Sequence, residues 1–258
     1  MSRYALGLDF GTESVRALAV NCETGEESAQ SVVPYPHGVI AETLPDSDAR
    51  LPHDFALQHP GDYVTSATAA IRDVLRKIPA AGIVGIGVDF TACTILPVLR
   101  DGTPLMELDR FKTNPHAWVK LWKHHAAQPE ADRINKVARR RKEAFLKYYS
   151  GILFSEWMLP KCWEIARKAP AVYRAADYIV DAGDWAVFQL TGRFVRNACA
   201  AGYKGTWNSK LGFPSKAFLA ALDPALRDLD DKWLQNIVAP GCRAGVVTEA
   251  FARKSGLK

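Results

Sequence analysis

The sequence predicts an α/β domain, with a mixed five-stranded sheet flanked by helices and a helical insertion over about residues 107–175. Three observations carry this expectation. Residues 4–9 and 15–20 are apolar runs on either side of a Gly-Thr turn, the pattern of a strand hairpin. A helical stretch opening at Pro60 separates that hairpin from another strand-like run at 83–89. From residue 114 onward, helical spacing dominates.

Taken in order, the first hairpin turns at Gly11 and Thr12, and Cys22 to Gly25 make a second turn into a third strand near 27–34. A Pro/His/Asp-rich loop covers about 35–59. Pro60 opens a helix to about Lys77 whose inner face is Tyr63, Ala67, Ala70, Ile71, Val74 and Leu75, and Pro79 stops it. Residues 83–89 read as a buried strand, and 94–99 as the first arm of a second hairpin turning at Arg100 to Thr103. Asn114-Pro115 predicts a helix carrying Trp118, Leu121 and Trp122, followed by a basic helix over 128–149 and another from Ser155 to Arg167. Shorter helices are expected at 183–190, ending at Gly192, at 215–222, and at 248–254. Strand-strand-strand-helix-strand is the opening of the ribonuclease-H-like fold, on which actin-like ATPases are built. No internal repeat or low-complexity linker divides the chain.

The first hairpin is also the chemical signal. Its turn aims several backbone N–H groups at one point, a concavity suited to phosphate oxygens. Asp9, ending its strand, is placed to hold Mg²⁺ directly or through water, and Arg16 adds a fixed positive charge. Most Gly-containing hairpins are only hairpins, so this pattern gains weight from what surrounds it. Other phosphate sites are excluded. No Gly-x4-Gly-Lys-Ser/Thr occurs. Gly85-x-Gly87 meets Phe90 where a dinucleotide fingerprint needs its third glycine. Asp9-Phe10-Gly11 lies too near residue 1 for the upstream parts of a protein kinase.

Composition narrows the classes. The 258 residues suffice for one large domain or two small ones, and the net charge of +5 is mild. Its densest part, Arg139 to Lys142, could be a nucleic-acid patch. The apolar residues around it fall near helical spacing, so the wet face of an amphipathic helix is preferred and no nucleic-acid partner is expected. The five cysteines (22, 93, 162, 199 and 242), scattered and odd in number, suit a reducing cytoplasm. His124 and His125 are expected on different sides of a helix, and no metal site built wholly from protein ligands is assigned. No signal-peptide pattern or membrane-length apolar run appears, so no membrane association is expected.

The segments "GLDFGTESVRALAV", "GVDFTACTILPV", "FKTNPHAWVKLWKHHAAQPEADRIN", "FSEWMLPK", "DWAVFQLTG" and "AGYKGTW" together resemble ribulokinases of the FGGY carbohydrate kinase family, over residues 4–258 and in order. The resemblance implies ATP- and Mg²⁺-dependent phosphorylation of a ketopentose, with L-ribulose to L-ribulose 5-phosphate in arabinose breakdown as the leading case. It implies a nucleotide-phosphate site at Asp9, Gly11, Thr12, Glu13, Ser14 and Arg16, with Asp9 associated with Mg²⁺. It implies a sugar site at Thr91, Ala92 and Lys204. Relatives that hold short polyols carry an Arg-Glu pair where Thr91 and Ala92 stand, and the smaller side chains leave room for a longer substrate.

The same resemblance implies a general-base aspartate beyond Lys258 and a second, nucleotide-binding domain. Residues 1–258 are accordingly expected to be the sugar-binding domain of a two-domain kinase, with no catalytic base of its own and no useful turnover alone. Asp89, Asp181 and Asp184 are read as structural. Surface normally covered by the second domain is expected to favour self-association. Two other readings stay open: an FGGY kinase acting on D-ribulose or ribitol, and a non-catalytic sugar-binding module of the same fold.

Overall fold

The computed structural model describes residues 2–45 and 47–257. Strands β1 (Tyr4–Phe10), β2 (Ser14–Asn21) and β3 (Glu27–Pro34) form an antiparallel meander. A two-residue strand β4 (Leu57–Gln58) precedes helix α1 (Pro60–Leu75), and β5 (Ile83–Phe90) then returns parallel to β1. The sheet order is β3-β2-β1-β5. Alternation along the strands decides what α1 covers. Leu6, Leu8, Phe10, Val15, Ala17 and Ala19 are buried in one cluster with Tyr63, Ala67, Ala70, Ile71 and Val74.

A second four-stranded sheet has the order β4-β7-β6-β8, with β6 (Ile95–Val98), β7 (Val119–Lys120) and β8 (Tyr178–Asp181) all antiparallel to their neighbours. It separates two cores. Ile95 and Ile179 enter a large helical core, while Leu96, Val98 and Val180 enter the core beneath the first sheet. The helical core is built on α2 (Gln128–Arg141) and α3 (Met158–Lys168), with α4 (Pro170–Ala175) beside them. Helix α5 (Ala182–Thr191) runs back to β5, and α6 (Ala198–Tyr203), α7 (Lys216–Leu222), α8 (Leu229–Lys232) and α9 (Glu249–Ser255) complete the described chain.

Several expectations change. The first sheet has four strands among the described residues rather than five, and β5 is not buried: Gly85, Gly87 and Asp89 are exposed. Only its inner face, at Ile86, Val88 and Phe90, packs against the core. The turn at Arg100–Thr103 is present, closed by Leu99 N–H to Thr103 O at 2.9 Å, but its second arm is reduced to one antiparallel bridge between Val98 and Pro104, and β6 otherwise pairs with β7 and β8.

The helix expected from Asn114 is a single 3-10 turn, Pro115–Ala117, followed by β7. Pairing with β4 and β6 overrides the i, i+3, i+4 spacing of its large apolar residues. The basic helix ends early, because Lys142 adopts a left-handed conformation (φ 56°) and residues 144–149 form a 3-10 segment. His124 and His125 therefore lie in a turn, not on a helix. His124 is fully buried. Ala56 N–H donates to its Nδ1, which leaves Nε2–H to donate to Glu164 at 2.9 Å. Lys120 pairs with the same carboxylate at 3.0 Å. Burial and the Lys120 charge hold His124 down to about 3, so it is neutral there.

Candidate functional site

Parallel pairing of β1 with β5 brings two strand ends together, with Asp9 beside Asp89 and Phe10 beside Phe90. Beneath them Phe10 and Phe90 stack at 5.1 Å between ring centres, and Tyr63 packs edge-on against both. Thr91 N–H continues the pairing to Phe10 O at 3.2 Å. This apolar floor fixes both strand ends, so the loops that follow leave from neighbouring points.

On the β1 side the chain turns through Gly11 to Ser14, closed by Gly11 N–H to Ser14 O at 2.9 Å. A Cβ on residue 11 would come within 3.2 Å of that oxygen. Three outside groups pin the turn. Gln58 Nε2 donates to Thr12 O at 2.8 Å, Trp122 Nε1 donates to Thr12 Oγ1 at 3.0 Å, and Tyr35 N–H donates to Glu13 O at 2.9 Å. Asp9 and Arg16 are cross-strand partners whose side chains approach to 3.7 Å, with 45% and 62% of their side-chain surface exposed. Such a pair is open to solvent and contributes little to stability. Both charges are available to a ligand. Asp89 lies on the same sheet face, exposed, and among the described residues its carboxylate makes no hydrogen bond or ion pair. A structural role fits it poorly.

Asp181 and Asp184 do have the structural character expected of them. Both are buried with the fully buried Arg196, whose Nη2 lies 3.0 Å from Asp181 and whose Nη1 lies 3.9 Å from Asp184. Burial, together with Asp181, raises the Asp184 carboxyl to about 7 even though Arg196 pulls it down.

On the β5 side the chain passes through Thr91 and Ala92 to Cys93, which sits in the left-handed region at φ 64°. Thr91 and Thr94 hydroxyls bond at 2.9 Å. The Cys93 thiol donates to Lys204 O at 3.4 Å, which brings the loop after α6 against the 91–93 segment. Lys204 Nζ faces Glu156 at 3.7 Å and lies over the exposed Tyr203 ring. The sequence-expected residues therefore form two groups on adjoining loops, one at Asp9 to Arg16 and one at Thr91, Ala92 and Lys204.

Four side chains were given no role at this site by the sequence: Gln58, Trp122, Glu156 and Lys161. Each reaches the site from a distant segment with no local motif, and Trp122 was read only as part of a helix that residues 118–122 do not form. Elsewhere the structure gathers His37, His59 and Asp62, within 4.8 Å of one another. Their atoms already bond one another and the start of α1: His37 to Asp62 at 2.8 Å, and Gly61 N–H to His59 Nδ1 at 3.0 Å.

Residues 4–258 match the model of the FGGY family of carbohydrate kinases, N-terminal domain. A ribulokinase from Geobacillus thermodenitrificans is 50% identical over 99% of this chain, and one from Anoxybacillus flavithermus is 49% identical over 99%. In both cases the chain spans only 46% of the relative's length. Solved structures share the fold at low identity. A gluconate kinase from Lactobacillus acidophilus aligns at a TM-score of 0.75 and 17% identity, covering 100% of this chain and 46% of its own. A Plasmodium falciparum glycerol kinase with ADP aligns at 0.70 and 11%, covering 98% and 46%.

Proposed function

The chain belongs to the FGGY family of carbohydrate kinases, and from that premise we propose that the protein carrying it transfers the γ-phosphate of ATP to the terminal hydroxyl of a ketopentose, L-ribulose first among candidates. The observation that carries this reading is the pairing of two loops at one sheet end: the pinned turn after Asp9 and the Thr91–Ala92 loop braced against Lys204. Half-length identity of about 50% to ribulokinases supports the choice of sugar.

In this reading the Gly11–Ser14 turn presents N–H groups to the phosphates, and Arg16 supplies charge beside them. Thr91, Ala92 and Lys204 hold and orient the sugar, so that its hydroxyl lies in line with the transferred group. Small side chains at 91 and 92 admit a five-carbon chain. Asp9 fits Mg²⁺ as a single open carboxylate, since that ion keeps several waters and takes phosphate oxygens as ligands. When bound, the ion neutralises charge on the phosphates. The proton acceptor we propose is an aspartate on a strand beyond Lys258, and a second domain supplies most of the nucleotide site.

The test is a comparison of L-ribulose, D-ribulose, ribitol and xylulose as acceptors for the natural protein carrying this chain, alongside its Asp9→Asn variant. L-Ribulose is expected to give the highest kcat/KM, and D9N to lower kcat by about 10²–10³-fold. Preference for another acceptor reassigns the sugar, and unchanged kinetics in D9N removes the hairpin from the site.

A further inference from the structure

Lys161 lies on α3, behind the two loops of the site, and has no exposed surface. Its Nζ donates to two main-chain carbonyls, Cys93 O and Leu121 O, each at 2.7 Å. Among the described residues it forms no ion pair. An ammonium taken out of water without a carboxylate partner is costly. Burial accordingly pulls this group down to about 8, with the Lys120 charge adding to it, and Cys93, Asp181 and Glu156 only partly offset it. A methionine would fill the same volume without that cost. What a methionine lacks is donors, and both donor bonds end on segments that reach the site.

The two carbonyls belong to different sides of it. Cys93 follows Ala92, and its left-handed backbone at φ 64° is strained for a residue with a Cβ, so the loop needs an external hold. Leu121 precedes Trp122, whose indole N–H holds Thr12 in the other turn. We propose that Lys161 is a positioning residue: its buried ammonium fixes the 91–94 loop in its strained form and ties it to the segment that clamps the Gly11–Ser14 turn, so that sugar and phosphate are held in register. This rests on the assignment of the 91–94 loop to the sugar.

The experiment uses Lys161→Met in the natural protein carrying this chain, with hydrogen exchange and kinetics read separately. Amides of residues 91–95 and 121–122 are expected to exchange at least tenfold faster, with α7 unaffected. The KM for L-ribulose is expected to rise at least tenfold, and that for ATP less than threefold. Adding Cys93→Gly, which removes the backbone strain, is expected to recover part of the lost sugar affinity. Unchanged exchange overturns the proposal, as does faster exchange with an unchanged sugar KM. If K161M does not fold, Lys161→Gln keeps two donors and is expected to show the same changes in weaker form; wild-type behaviour in K161Q overturns the proposal. A wild-type protein that phosphorylates no ketopentose defeats the substrate assignment instead, and exchange at 91–95 then decides whether Lys161 holds the loop.

Discussion

Arg196 carries a charge at a position with no exposed surface, and two carboxylates share it unequally. That asymmetry gives a prediction. Asp184 is raised from 3.8 to about 7 in the folded protein, so the folded state holds its proton more tightly than the unfolded chain does. The resulting stability is complete below pH 3.8 and is lost as pH rises through 7. Asp184→Asn, whose amide oxygen can still accept Asn197 N–H at 2.9 Å, should flatten the stability profile between about pH 4 and 7. Asp181→Asn removes the nearer partner and should cost about 3–5 kcal/mol, because it strips a buried cation of its closest counter-charge. Urea unfolding across that pH range measures both; equal losses in the two variants would contradict the unequal sharing. Sequence reading placed these aspartates as structural but had no means of finding Arg196, which is adjacent only after folding.

At the scale of elements, the strands that alternate cleanly were the legible ones. β1, β2 and β3 fall where their apolar runs put them, and the helix ends at Ser215, Thr248 and Gly192 are capped where the sequence put them, with Ser215 Oγ accepting Phe218 N–H at 3.1 Å. What failed were elements decided by distant partners. Residues 118–122 carry helical spacing but are drawn into a sheet by β4 and β6, and the Lys142 break leaves no mark in the pattern of apolar residues. Turns are stricter. Gly102 sits at φ 83°, and a Cβ there would collide with the Phe188 ring on α5. Gly102→Ala should therefore cost about 2–5 kcal/mol, the sum of left-handed strain and overpacking, read as a fall in the urea midpoint. A midpoint within error of wild type would mean that the α5 contact yields freely.

For the molecule as a whole, the second sheet joins two cores, and the candidate site draws residues from both. Asp9 and Arg16 stand on strands of the first sheet, while Lys161, Glu156 and Lys204 come from the helical side. This explains why the Gly11–Ser14 turn was readable from fourteen consecutive residues and its braces were not: the turn is local, and the braces are assembled across the fold. The outer face of β5, with Gly85, Gly87 and Asp89 open, belongs to the same picture. A strand buried on one face only reads in sequence like one buried on both, because small residues occupy its outer positions.

The left-handed break at Lys142 also has a consequence for proteolysis. Arg139, Arg140, Arg141 and Lys142 are all exposed, and the last of them sits where helical hydrogen bonding stops. Ends of this kind are where proteases first find an unprotected backbone. Brief trypsin treatment should nick the chain between 139 and 143 before other sites. The cut leaves Ile134, Val137 and Ala138 of α2 packed in the same core as Leu159 and Ile165 of α3. The two pieces should therefore co-migrate on a sizing column under native conditions and separate only in denaturant, so that one peptide bond is lost while the fold persists.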